Sequence, residues 1–230
     1  MPVPSRVSDA SLMARSVFYL HGFASSAKST KAAYLGERLR RKGVTLHCPD
    51  FNQPDFATLT LTRMLEQLDR AMAEAATVVA GPATLIGSSL GGTLAILAAA
   101  AFGRRVDRLM LLAPAVMFAK QGHHLLPPER IDEWRRLGRL PFFHYADHAE
   151  RMLDFAFYED SFRYNPFDAT FSQPTRIFQG THDLSVDPRT VEAFARDRPN
   201  VTLSLVDDDH SLTKSLPAIW DGVSELLEVE

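Results

Sequence analysis

The sequence predicts a mostly parallel, doubly wound α/β sheet of about six strands, interrupted by a helical, aromatic-rich insertion. Three observations predict it. Short β-rich runs alternate with longer helical patterns from Val17 to Leu227. That rhythm breaks between positions 115 and 172, where two strands stand much further apart than an ordinary crossover requires. A Gly87-Ser-Ser-Leu-Gly91 pentapeptide also sits directly between a strand-like run and a helix-forming run.

The elements follow in order. Val17-Phe-Tyr-Leu20 and Val44-Thr-Leu-His47 read as strands, flanking a helix from Lys31 to Lys42 that stops at Gly43. Arg38, Arg40, Arg41 and Lys42 suit the C-terminal end of that helix dipole, and with Glu37 beside them they read as a solvated face. A helix from Leu59 to Ala76 leads to the strand Thr84-Leu-Ile86, and Gly91 to Phe102 reads as a helix closed by Arg104 and Arg105. Leu109-Met-Leu-Leu112 is the next strand. The insertion holds Pro127, Pro128, Pro141 and Pro166, with helical patches at Glu129 to Leu137 and His148 to Asp154. Its aromatic density suggests a lid, with Trp134, Phe143 and Tyr158 as candidate pocket residues. Thr175-Arg-Ile-Phe178, a helix from Pro188 to Arg196, Val201-Thr-Leu-Ser-Leu205 and a helix from Thr213 to Leu227 complete the pattern.

A chain of 230 residues with 46% apolar composition suits one large domain, here expected over 16–230 after a loose arm at 1–15. Residues 1–16 carry no sustained apolar core of the kind a secretory signal needs, and Met13 is an alternative start. The longest apolar stretch, Leu94 to Phe102, is about half of the ~20 residues that cross a bilayer, so no membrane insertion is expected. The 25 basic and 28 acidic residues give a net charge of −3, without the basic footprint of a nucleic-acid binder; a small substrate fits better. Cys48 is the single cysteine, which excludes an internal disulfide and a cysteine-based zinc site and points to a reducing, cytoplasmic setting.

The pentapeptide matches G-x-S-x-G with Ser89 at its centre. A sharp strand-to-helix turn there needs small residues at Gly87 and Gly91, and the helix N-terminus offers free N–H groups to a developing oxyanion. The Leu90 N–H is one such donor; the Phe23 N–H, in the loop His21-Gly22-Phe23 after the first strand, is the second. His21 is read first as a residue that supports this loop and second as a pocket residue. His210, between the last strand and the last helix, stands where a base following Ser and Asp in chain order belongs. Asp183, just past the preceding strand, is the expected partner of its Nδ1–H. Asp187 reads as the cap of the helix begun by Pro188, and Asp207 to Asp209 read either as a source of a substitute acid or as residues that only solvate the loop.

Other patterns carry less. His144 and His148 are four apart, and His123 and His124 share the insertion, but no H-E-x-x-H accompanies them and no metal is expected. A phosphate loop with Gly-Lys-Ser/Thr and a G-x-G-x-x-G dinucleotide turn are both missing, so the reading requires no cofactor.

Tyr19-Leu-His-Gly-Phe-Ala-Ser-Ser26 with Ser29 and Lys31, then Gly87 to Gly92, then Leu112-Ala-Pro-Ala115, resemble the YqiA-like small esterases of the α/β-hydrolase superfamily. The likeness extends over most of 16–228 and fades through the insertion. It implies a carboxylic ester substrate, by preference with a short acyl chain, a triad on Ser89, Asp183 and His210, and oxyanion donors at Phe23 and Leu90. Thioesterase, lactonase and C–C bond hydrolase chemistry all use the same triad and stay open, as does a non-catalytic ligand-binding protein of the same fold.

Overall fold

A computed structural model describes residues 16–118 and 126–229. Six strands form one parallel sheet: β1 (Ser16–Leu20), β2 (Leu46–His47), β3 (Ala83–Ser88), β4 (Val106–Leu112), β7 (Thr175–Gly180) and β8 (Val201–Val206), in the order β2-β1-β3-β4-β7-β8. The order reverses at β1, so the crossover helix before the reversal lies on one face of the sheet and those after it lie on the other. The period-2 alternation of the strands supplies both faces with apolar side chains. Phe18, Leu20, Leu85, Leu109, Leu111 and Ile177 point one way, against α2 (Leu61–Ala76), α3 (Leu90–Phe102) and α6 (Pro188–Arg196). Val17, Tyr19, Ile86, Met110, Leu112 and Phe178 point the other way, against α1 (Thr30–Arg41) and α7 (Leu216–Leu227).

Local chemistry sets the helix starts. Ser29 and Thr60 accept the Ala32 and Arg63 N–H groups as N-caps, and Asp187 caps α6 through Arg189 N–H ahead of Pro188 at the first turn. α3 is buried at every residue from Leu90 to Ala99, as a central helix without a polar stripe must be.

Between β4 and β7 lie α4 (Pro128–Leu137), an antiparallel hairpin of β5 (Arg139–His144) and β6 (Ala149–Asp154), and α5 (Ala156–Ser161). The helical patch expected at Glu129 to Leu137 is α4. The one expected at His148 to Asp154 is corrected to β6. Ala-Glu-Arg-Met-Leu favours a helix in isolation, yet here it pairs in register with β5, Arg139 facing Asp154 with an ion pair at 3.2 Å. The expected N-terminal arm at 1–15 and the His123-His124 pair lie outside the described residues. His144 and His148 share no helix face, since they flank the hairpin turn. Among the described residues no group of three or more His, Cys, Asp or Glu is arranged to hold a metal ion, and no helix is long and apolar enough to cross a membrane.

Candidate active site

Ser89 stands at the turn from β3 into α3 with φ 53° and ψ −117°, a conformation costly for a side chain that bears a Cβ. The surroundings over-determine it. Its N–H donates to Leu112 O at 2.9 Å, and its carbonyl accepts from Gly92 N–H at 2.8 Å and Ala115 N–H at 3.1 Å. Gly87 and Gly91 are obligatory for packing: a Cβ would lie 2.3 Å from Gly91 O at the first and 2.0 Å from Leu20 O at the second. The elbow is thereby pressed against the end of β1.

His210 lies in the loop between β8 and α7. Its Nε2 is 3.1 Å from Ser89 Oγ, and its Nδ1 is 2.8 Å from Asp183 Oδ2. Asp183 leaves the C-terminal end of β7 with its side chain fully buried. Oδ1 accepts the Ser185 and Val186 N–H groups, each at 2.8 Å, and Oδ2 accepts from Gln179 Nε2 at 3.0 Å as well as from His210. Burial pushes this carboxyl up, but hydrogen bonds from His210, Val186 N–H and Gln179 outweigh it and hold Asp183 below the usual carboxylate range.

The other aspartates considered as partners are engaged elsewhere. Asp187 caps α6, Asp207 meets His182, Asp208 accepts from Ser215, and Asp209 accepts from Ser211. The loop itself is tied across the molecule. Lys31 of α1 donates its Nζ to Ser211 O at 2.7 Å, with burial lowering its pKa against the pull of Asp208, Asp209 and Asp183. Ser29, besides capping α1, donates to the buried Tyr19 hydroxyl at 3.3 Å. Thus Tyr19, Ser29 and Lys31 link the first strand to the histidine loop.

Gly22 abuts the serine: a Cβ there would be 3.2 Å from Ser89 Cβ and 3.8 Å from Oγ. Among the described residues the next N–H, of Phe23, donates to no loop or turn acceptor, and Leu90, first residue of α3, has no helical acceptor one turn back. The Phe23 ring packs among Phe56, Phe142 and Phe157, with centroids 5.4 to 5.7 Å away, and Tyr145 N–H donates to Ala24 O at 2.8 Å. The hairpin thus rests on the loop that carries the Phe23 N–H.

The expected pocket residues fare differently. His21 is 2% exposed; its Nδ1 meets Gly22 O at 2.9 Å and its Nε2 accepts Phe51 N–H at 3.0 Å, so both nitrogens hold loops and neither is free for a ligand. Trp134 is fully buried, donating to Leu153 O at 2.8 Å among Phe142, Phe155 and Tyr158, which makes it the core of the inserted segment. Phe143 points outward, half exposed, against Tyr145, because strand alternation gives the inner face to Phe142 and His144. Tyr158 is partly buried between Phe155 and Phe162 beside Trp134. Sequence reasoning missed Phe142 and Phe157, which do reach Phe23, and Gln179, whose polar side chain in the apolar run Ile177-Phe-Gln179 was the available signal.

Solved structures share this architecture. Ferulic-acid-bound Est1E from Butyrivibrio proteoclasticus is 22% identical, with 94% of this chain and 91% of that one covered and a TM-score of 0.78. The mouse alpha/beta hydrolase domain-containing protein 10 is 21% identical over 93% and 89%, with a TM-score of 0.77. A monoacylglycerol lipase from Paleococcus ferrophilus is 14% identical over 93% and 94%, at 0.73. At these identities they show the fold, which is that of the α/β-hydrolases. No curated protein matches the chain in sequence. A family model matches residues 16–224, and with that span covered the chain belongs to the uncharacterised protein family UPF0227, the family of YqiA-like esterases.

Proposed function

We propose that this protein is a serine ester hydrolase acting on small carboxylic esters with short acyl chains. The observation that carries the reading is the hydrogen-bonded line from Ser89 Oγ through His210 to the buried Asp183, at 3.1 and 2.8 Å. Ser89 Oγ attacks the ester carbonyl as His210 Nε2 takes its proton. Asp183, held ionised by its four donors, stabilises the imidazolium and fixes the tautomer with hydrogen on Nδ1. The Phe23 and Leu90 N–H groups receive the oxyanion; among the described residues no backbone acceptor engages them, so they need no rearrangement as charge develops. His210 then returns its proton to the leaving alcohol, and water activated by the same ring hydrolyses the acyl-enzyme.

On this reading 16–230 is one domain and 115–172 its cap, with Phe118, Phe142 and Phe157 as the apolar wall over Phe23. That Est1E was solved with ferulic acid bound, and that a lipase shares the fold, supports an ester substrate. The test is turnover of a short-chain nitrophenyl ester by the wild type beside Ser89→Ala, where loss of a triad serine costs ~10⁶ in kcat. Equal rates from the two proteins would overturn the proposal.

A further inference from the structure

Gln179 is the penultimate residue of β7, and its side chain is wholly buried. Its Nε2 donates at 3.0 Å to Asp183 Oδ2, the same oxygen that accepts His210 Nδ1–H at 2.8 Å. That nitrogen also lies 3.2 Å from Gly180 O and 3.3 Å from Val186 O, which receive its other hydrogen. Oε1 is buried with no hydrogen-bond partner among the described residues. The amide cannot be turned over, because that would set Oε1 against three acceptors. A residue needed only to fill this space would be apolar, since methionine matches the shape and brings no unpaired amide oxygen of its own. What the amide adds is donation, at the shortest distance to Asp183 Oδ2 and with its other hydrogen to the Gly180 and Val186 carbonyls.

We infer that Gln179 is a positioning residue that moderates the basicity of His210 by sharing Asp183 Oδ2 with it. The inference rests on the triad assignment proposed above. The Ser185 and Val186 N–H groups hold Oδ1, and Gln179 holds Oδ2, so the carboxylate cannot rotate away from the imidazole. The same bond draws on the negative charge that faces His210. Without it, Oδ2 interacts with the imidazole alone, the imidazolium is more stable, and the ring takes up its proton at higher pH. Besides Asp183, Asp209 of its own loop acts on the ring; Lys214 acts on Asp209, and Lys31 from α1 acts on Asp208, Asp209 and Asp183, and substitution at 179 changes none of these charges.

The experiment is a pH titration of the His210 ring nitrogens by NMR in the wild type, Gln179→Met and Gln179→Leu, run beside the pH profile of kcat/KM on a short-chain nitrophenyl ester. In Q179M both midpoints are expected to rise by about half a pH unit or more, a change of about threefold or more in proton affinity. Q179L removes the same donor from Asp183 Oδ2 and moves the ring in the same direction; it also serves if Q179M fails to fold. A purely packing role would lower Tm while leaving both midpoints at the wild-type value, and that result overturns the inference. The ring titration does not need turnover. A shifted ring in a protein whose wild type hydrolyses no ester would uphold the coupling and remove only the esterase reading. An unshifted ring in both variants with turnover intact would do the reverse.

Discussion

Replacing Asp183 by asparagine changes one atom in a site that has room for only one arrangement of hydrogens. The carboxylate has two oxygens and four donors aimed at it: the Ser185 and Val186 N–H groups on Oδ1, Gln179 Nε2 and His210 Nδ1–H on Oδ2. An asparagine that keeps its oxygen on the two backbone donors turns its NH₂ toward His210 and Gln179. The imidazole must then present a bare Nδ1, its hydrogen moves to Nε2, and it can no longer accept the Ser89 proton. The opposite orientation of the amide sets NH₂ against two backbone N–H groups, which is worse. The expected loss in kcat is ~10⁴, as for a triad frozen in the wrong tautomer. Gln179 Nε2 loses one of its acceptors in the buried arrangement, for a stability cost of about 1–3 kcal/mol. Ester hydrolysis and urea unfolding of the purified variant read the two effects separately. A folded D183N protein with kcat within about tenfold of wild type would refute the reasoning.

Three further outcomes are expected. The folded-state pKa of Asp183 lies below its unfolded value of about 3.9, so its ionised form contributes in full above that value and loses its contribution as pH falls through the folded-state value. The stability gap between wild type and D183N in urea unfolding should therefore narrow from about pH 7 to about pH 3, and a widening gap would contradict the assignment. Gly22→Ala brings a Cβ to 3.2 Å from Ser89 Cβ and 3.3 Å from Ser88 O. The loop must shift by tenths of an ångström, so kcat should fall at least about tenfold with Tm nearly unchanged; full activity would show that the Phe23 N–H tolerates displacement. Trp134→Ala removes the buried centre of the inserted segment and should cost about 3–5 kcal/mol by chemical denaturation, whereas a loss under about 1 kcal/mol would mean that the ring is not core.

The elbow at Ser89 and the placement of Asp183 and His210 were legible because each depends on short-range chemistry: a glycine-flanked turn, a strand end, a loop before a helix. The cap at Asp187 is local in the same way. What was not legible depends on contacts far apart in sequence. Residues 148–154 carry helix formers and become a strand because β5 offers them a ladder. Once β5 and β6 pair, alternation decides that Phe142 faces Phe23 while Phe143 faces outward, which composition could not foresee. Trp134 stands three residues after Ile131, and that helical spacing marked a core face of α4 rather than a pocket wall. Lys31 reaching Ser211 O, and Gln179 reaching Asp183, join elements whose proximity only the assembled sheet creates.

The central claim is that Ser89 is a nucleophile activated by His210, and its most direct measurement is covalent labelling by a fluorophosphonate, read by intact mass and by mapping of the modified peptide. The account predicts one equivalent of label on Ser89 in the wild type and none in Ser89→Ala or His210→Ala, although the histidine variant retains the hydroxyl. Labelling that is absent from folded wild-type protein, or that persists in Ser89→Ala, would contradict it.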